Sequence, residues 1–148
     1  MRRRPPRWFL TISVVVVAAG IAIWTTFFDK APEKCKPVID LLNFNKSQAA
    51  LIDSKGGTGT PTLAEDALYQ QWADGLAERA QKVTDPELAA QATQLAQLAN
   101  QFVAGLPRVR AETETRAPGA PPPAVVYQLS ALSDQITAQT NQLSQACA

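Results

Sequence analysis

Apolar residues are distributed in two distinct ways along this chain. Residues 8–28 form one uncharged run, Trp8-Phe-Leu-Thr-Ile-Ser-Val-Val-Val-Val-Ala-Ala-Gly-Ile-Ala-Ile-Trp-Thr-Thr-Phe-Phe28. Beyond it, apolar residues return every three or four positions between amides and charges. The first pattern fits a helix in lipid, because about 20 apolar residues cross roughly 30 Å of hydrocarbon. The second marks helices that bury one face.

The second pattern divides into four segments. A first helix is expected from near Pro37, with Val38, Leu41, Leu42, Ala49 and Ile52 on one stripe. It should stop at Gly56-Gly57-Thr58-Gly59, a flexible break. Thr62 and Glu65 are spaced as a capping box after Pro61, where each side chain can satisfy the other's free backbone amide. Leu68, Trp72, Leu76, Ala80 and Val83 then mark a second buried face bordered by Tyr69, and Trp72 should anchor the core. Asp85-Pro86-Glu87 ends that helix and caps a third. Leu88, Ala92, Leu95, Ala99, Phe102 and Leu106 alternate spacings of four and three, the seam of helices packed at a shallow angle. Gly105 and Pro107 predict an end or kink. A Pro-rich connector is expected at 108–124, with part of 109–116 left open to helix. The last helix is expected over 125–146, with Val125, Leu129, Leu132, Ile136 and Leu143 inward and Thr140 interrupting the stripe. No strand pattern competes. The expectation is an all-α protein: basic tail 1–7, transmembrane anchor 8–28, linker 29–36, and an antiparallel bundle of about four helices at 37–148.

Charge orients the anchor. Arg2, Arg3, Arg4 and Arg7 precede the run, so that end should stay cytoplasmic and the bundle should be extracytoplasmic. Trp8 lies at one edge, and Trp24, Phe27 and Phe28 near the other, where amphipathic rings favour the bilayer interface. The rival is a cleaved signal peptide, since Gly20-Ile21-Ala22 offers a small-x-small site. Cleavage there would leave Ile23 and Trp24 as a hydrophobic mature end, and the run exceeds a signal core, so a retained anchor is favoured. Ala18, Ala19, Gly20 and Ala22 form a small-residue patch that could dock another membrane helix. Ordinary anchor composition explains the same patch.

The chain carries 14 Lys+Arg and 13 Asp+Glu, and every acidic residue lies at or after Asp29. The exported part is therefore net acidic. The only basic cluster is explained by topology, which excludes nucleic acid as a partner. The cysteines, Cys35 and Cys147, both fall on the exported side, where disulfides persist. An intramolecular bridge would span a sequence separation of 112 and tie the last helix to the start of the first. An intermolecular bridge or a reactive thiol are the alternatives.

Reaction chemistry is sparse. The chain has no histidine, the commonest general base and metal ligand, and no cysteine pair at metal spacing. Asp74 and Glu78 could pair, but Glu78 with Lys82 at i,i+4 reads as a solvated face. Lys55-Gly-Gly-Thr-Gly-Thr60 lacks the order of a phosphate loop. Asn45-Lys46-Ser47 is a formal glycosylation sequon. No enzyme, cofactor or metal is expected. One feature stands apart: 88–107 carries no charge, and 117–148 carries only Asp134. Gln91, Gln94, Gln97 and Gln101, with Gln135, Gln139 and Gln142, form a candidate neutral partner face, because interface cores are depleted in charge. Plain Ala/Gln-rich composition is the competing explanation.

The Arg-rich start, the Val/Ala anchor, Cys35-Lys-Pro-Val38, the Trp72 helix, Thr84-Asp-Pro-Glu87 and the near-terminal Cys147 together resemble small single-pass envelope proteins of actinobacteria, mycobacteria especially. The resemblance covers the layout and carries over no functional residue. It implies an accessory or scaffold subunit of an envelope machine such as a transporter or respiratory assembly, with a multi-pass membrane protein as partner. The alternative is an extracytoplasmic module that binds a lipid or small apolar ligand.

Overall fold

The structure is a computed structural model that describes residues 31–56 and 61–148. Among these residues there are four α-helices, one 3-10 turn and no strand. The turn, Glu33–Cys35, feeds directly into α1 (Lys36–Lys55), followed by α2 (Leu63–Ala80), α3 (Pro86–Glu114) and α4 (Ala124–Ala146). The expected anchor, with Arg2, Arg3, Arg4, Arg7, Ala18, Ala19, Gly20 and Ala22, lies outside the described residues. No described helix is long and apolar enough to cross a membrane.

Local sequence sets the helix starts. Pro37 occupies the first turn of α1, where its missing N–H costs no hydrogen bond. Thr62 and Glu65 form the reciprocal capping box that opens α2. Asp85 accepts from the Leu88 amide at 3.1 Å and caps α3. In the connector, the Ala120 amide bonds the Ala117 carbonyl at 3.1 Å, and Gly119 adopts φ +80°. Pro at the second position and a positive-φ glycine at the third are what a tight turn of this type demands.

Pro107 does not end α3. The helix runs through it to Glu114, and residues 109–114 are helical rather than connector. An interior proline costs roughly 3 kcal/mol. Tertiary contacts on its far side offset that cost. Leu106 and Val109 pack with Val125 and Leu129. Arg110 Nη2 donates to Asp66 Oδ1 at 2.6 Å, and its Nε donates to the Pro61 carbonyl at 3.2 Å.

Cross-helix contacts fix the register. Trp72 pairs with Asn45 and Arg79 with Asp40, so α1 and α2 run antiparallel. Arg110 meets Asp66 and Phe102 meets Trp72, giving the same relation for α2 and α3. Gln139 reaches Gln91, and Leu129 covers Gly105, extending it to α3 and α4. Cys35 and Cys147 are disulfide-bonded with Cα atoms 5.6 Å apart, which closes the bundle between its first and last helices. The core nearest this bridge is tightly sealed: Val38, Leu41, Leu76, Ala92, Leu95 and Leu143 are fully buried. Away from the bridge, α1 and α4 touch little, whereas sequential neighbours pack along their lengths.

Candidate functional site

The gap between α1 and α4 is a cleft of about 350 Å³. Its floor comes from helices behind it: Tyr69 and Trp72 on α2 and Phe102 on α3. The α1 wall is Asn45, Ala49, Ile52 and Asp53, at the three- and four-residue spacing that puts them on one helix face. The α4 wall is Ser133, Ile136, Thr137, Thr140 and Asn141, spaced in the same way.

The aromatic floor is internally ordered. Trp72 meets Phe102 edge-on, with centroids 6.2 Å apart and planes at 89°, and Tyr69 lies 5.8 Å from Phe102. Such pairs favour offset or edge-to-face geometry. Trp72 Nε1 donates to Asn45 Oδ1 at 2.8 Å, so the indole is both buried and satisfied. It is the core anchor the sequence predicted, and it also lines the cleft. Burial raises the Tyr69 pKa above its ordinary value, and the negative charges of Glu65 and Asp53 add to the shift.

The walls carry polar side chains, and two of the hydroxyl protons there are already committed. Thr140 Oγ1 donates to the Ile136 carbonyl at 2.7 Å, and Thr137 Oγ1 to the Ser133 carbonyl at 3.0 Å. Thr140 thus interrupts the apolar stripe because it faces this cleft. Among the described residues, Asp53 is the only charged one in the lining.

The predicted amide residues separate into two groups. Gln94, Gln97 and Gln101 are exposed on one stripe of α3, and Gln135 and Gln142 are exposed seven residues apart on α4. Gln139 instead turns inward and is 5% exposed. Its Nε2 donates to the Gln91 carbonyl at 3.3 Å, so these two residues join α3 to α4. The Gln91 Oε1 atom is buried without a hydrogen-bond partner.

Two features had little signal in the sequence. Phe44 packs so closely on Gly75 that a Cβ there would fall 2.1 Å from the ring, and Arg79 stacks 3.9 Å over the same ring. Arg79 Nε also lies 3.2 Å from Asp40 Oδ2, an ion pair by distance whose angle misses hydrogen-bond alignment. The Glu78–Lys82 pair forms at 2.8 Å on an exposed face, as its spacing predicted, and Asp74 accepts from Gln70 rather than pairing with Glu78. No group of three or more His, Cys, Asp or Glu among the described residues could hold a metal ion. Part of the 55–60 loop lies outside the described residues.

No protein-family model matches the chain, and neither a curated protein nor a solved structure matches it.

Proposed function

We propose that this chain is a non-catalytic accessory or scaffold subunit of a cell-envelope membrane complex. The apolar run 8–28 would hold it in the bilayer, with the Arg-rich end cytoplasmic and the bundle extracytoplasmic. One observation carries the reading: Gln94, Gln97 and Gln101 on α3 and Gln135 and Gln142 on α4 are exposed within two stretches, 88–107 and 117–148, whose one charged residue is Asp134. A neutral, hydrogen-bonding surface suits burial against a partner, because desolvating an amide costs far less than desolvating an ion. The disulfide ties α4 to the start of α1 and restrains that surface, which lowers the ordering cost of association. The small-residue patch Ala18, Ala19, Gly20 and Ala22 would supply a second contact within the membrane. The test is extraction in mild detergent, followed by affinity purification of the full chain. A multi-pass membrane protein should co-purify in stoichiometric amount, and the triple variant Gln97→Lys, Gln101→Lys, Gln142→Lys should lose it. A chain that purifies alone overturns the proposal.

The cleft favours a second reading, an extracytoplasmic ligand-binding module. Its volume falls within the range of small-molecule pockets, and it combines an apolar floor with a few polar groups. It is too short and too polar at its walls for a long acyl chain, so a small amphipathic ligand suits it better than a lipid.

A further inference from the structure

We propose that the α1–α4 cleft binds a primary alkylammonium group, with the cation between Asp53 and the aromatic floor and its short hydrocarbon tail against Ile52 and Ile136. The proposal rests on the ligand-binding reading of the cleft and deepens it.

Three observations support that chemistry. The first is charge. Asp53 is the only ionised side chain lining the cleft, and no ion pair or hydrogen bond engages its carboxylate among the described residues. The second is the floor. Tyr69, Trp72 and Phe102 converge there, and aromatic faces attract cations. The one described cation stacked on a ring, Arg79 on Phe44, lies outside this lining. The third is the polarity of the wall hydroxyls. Thr137 and Thr140 each donate their single proton to a backbone carbonyl, so toward the cleft each offers only lone pairs. The indole N–H of Trp72 is likewise spent on Asn45. The remaining donors in the lining are all uncharged, the amides of Asn45 and Asn141 and the hydroxyls of Ser133 and Tyr69, and the two hydroxyls also offer lone pairs. An anion would meet the Asp53 carboxylate and no cationic side chain among the described lining residues. A quaternary ammonium would satisfy the rings but leave the threonine oxygens without a donor. A primary ammonium satisfies both.

The experiment uses the full chain in lipid nanodiscs, with n-butylammonium as probe and two-dimensional amide and indole nuclear magnetic resonance as readout. Saturable shifts are expected at the Trp72 indole and the Asn45 and Asn141 side-chain amides. n-Butanol, the neutral isostere, should bind more weakly by about two- to fivefold, the scale of one exposed cation–π or ion-pair interaction, and trimethylbutylammonium, which keeps the charge but lacks N–H donors, by about two- to tenfold, the scale of one lost hydrogen bond. Asp53→Asn should weaken butylammonium by a similar factor. Asp53 is exposed and supports no described contact, so this variant should keep its helical spectrum and its disulfide. Equal saturation by butanol leaves the cleft as a ligand site but overturns ammonium selectivity. Equal binding of the quaternary probe, or an Asp53→Asn variant that binds like the parent, also overturns it. Saturation by no probe overturns both the selectivity and the ligand-binding reading.

Discussion

The two ends of the α1–α4 pair differ sharply. At one end Cys35 and Cys147 join the helices covalently over a core of Val38, Leu41, Leu95 and Leu143, all essentially without solvent contact. Farther along, the same helices face each other across a cleft with Asn45, Asp53, Thr137 and Thr140 on its walls. The residues at the disulfide end are aliphatic and small, and they interdigitate. Those at the cleft mix aromatic and polar residues with Ala49, Ile52 and Ile136, and no described hydrogen bond spans the gap between its two walls. A bundle needs only one well-sealed end to hold its topology, which leaves the other free to present a concave surface.

Removal of the bridge should have the largest effect on this contrast. Closing a loop near 100 residues is worth roughly 4.7 kcal/mol in the chain-entropy model, and often less in practice. Cys35→Ser with Cys147→Ser should lower the unfolding free energy by up to that order, read from the denaturant midpoint and slope. Amide exchange should then accelerate first at the C-terminal end of α4. Uniform acceleration across all four helices would mean that the bridge and the core do not form a separate stable end.

Trp72 should come next, because it belongs to both regions. Its ring is 7% exposed, and it lines the cleft while packing on Phe102. Trp72→Ala should cost about 4 kcal/mol, read as a shift in denaturant midpoint at unchanged slope. A variant that melts like the parent would show that the aromatic floor contributes to binding and not to stability.

A pair of insertions tests sealed against open packing. Gly75→Ala drives a methyl into the Phe44 ring, which Arg79 covers on its other face, and overpacking of this kind costs about 1–3 kcal/mol. Ala49→Leu directs extra volume into the cleft and should change stability by less than about 0.5 kcal/mol. Equal costs at the two positions would mean that the cleft closes in solution.

The two regions were unequally legible from sequence. The sealed end followed from rules with one dominant cause each: a single pair of cysteines, an Asp-Pro helix start and a heptad of Leu and Ala. The cleft did not, because its residues look like flaws in those same rules. Thr140 reads as a gap in a stripe, Tyr69 as a border, and Asn45 as part of a sequon. Only the antiparallel register brings them together. That Pro107 does not end α3 has a related reason. Its local cost is real, but Leu106, Val109 and Arg110 make contacts distant in sequence that outweigh it. Gln139 could not be assigned to the inside by periodicity alone, since an amide satisfied by a backbone carbonyl on α3 has the same letter as an exposed one.

The smallest expected effect is a titration at the cleft floor. Burial is the main cause of the raised Tyr69 pKa, followed by the charges of Glu65 and Asp53. Raising an acid's pKa in the folded state favours its neutral form. Tyr69 therefore contributes a stabilising increment below the unfolded tyrosine pKa, taken as 10.0, and loses it as pH rises from there through the folded value. In a Tyr127→Phe background the phenolate absorbance reports Tyr69 alone, since the chain has 2 tyrosines. Its midpoint should lie above 10.0 in the folded protein, and Asp53→Asn should move it down while leaving it raised, because burial remains. A midpoint unchanged by Asp53→Asn would place the carboxylate too far from the ring to act on anything bound there. That result would separate the aromatic floor from its negative wall and leave the cleft a neutral gap between two helices.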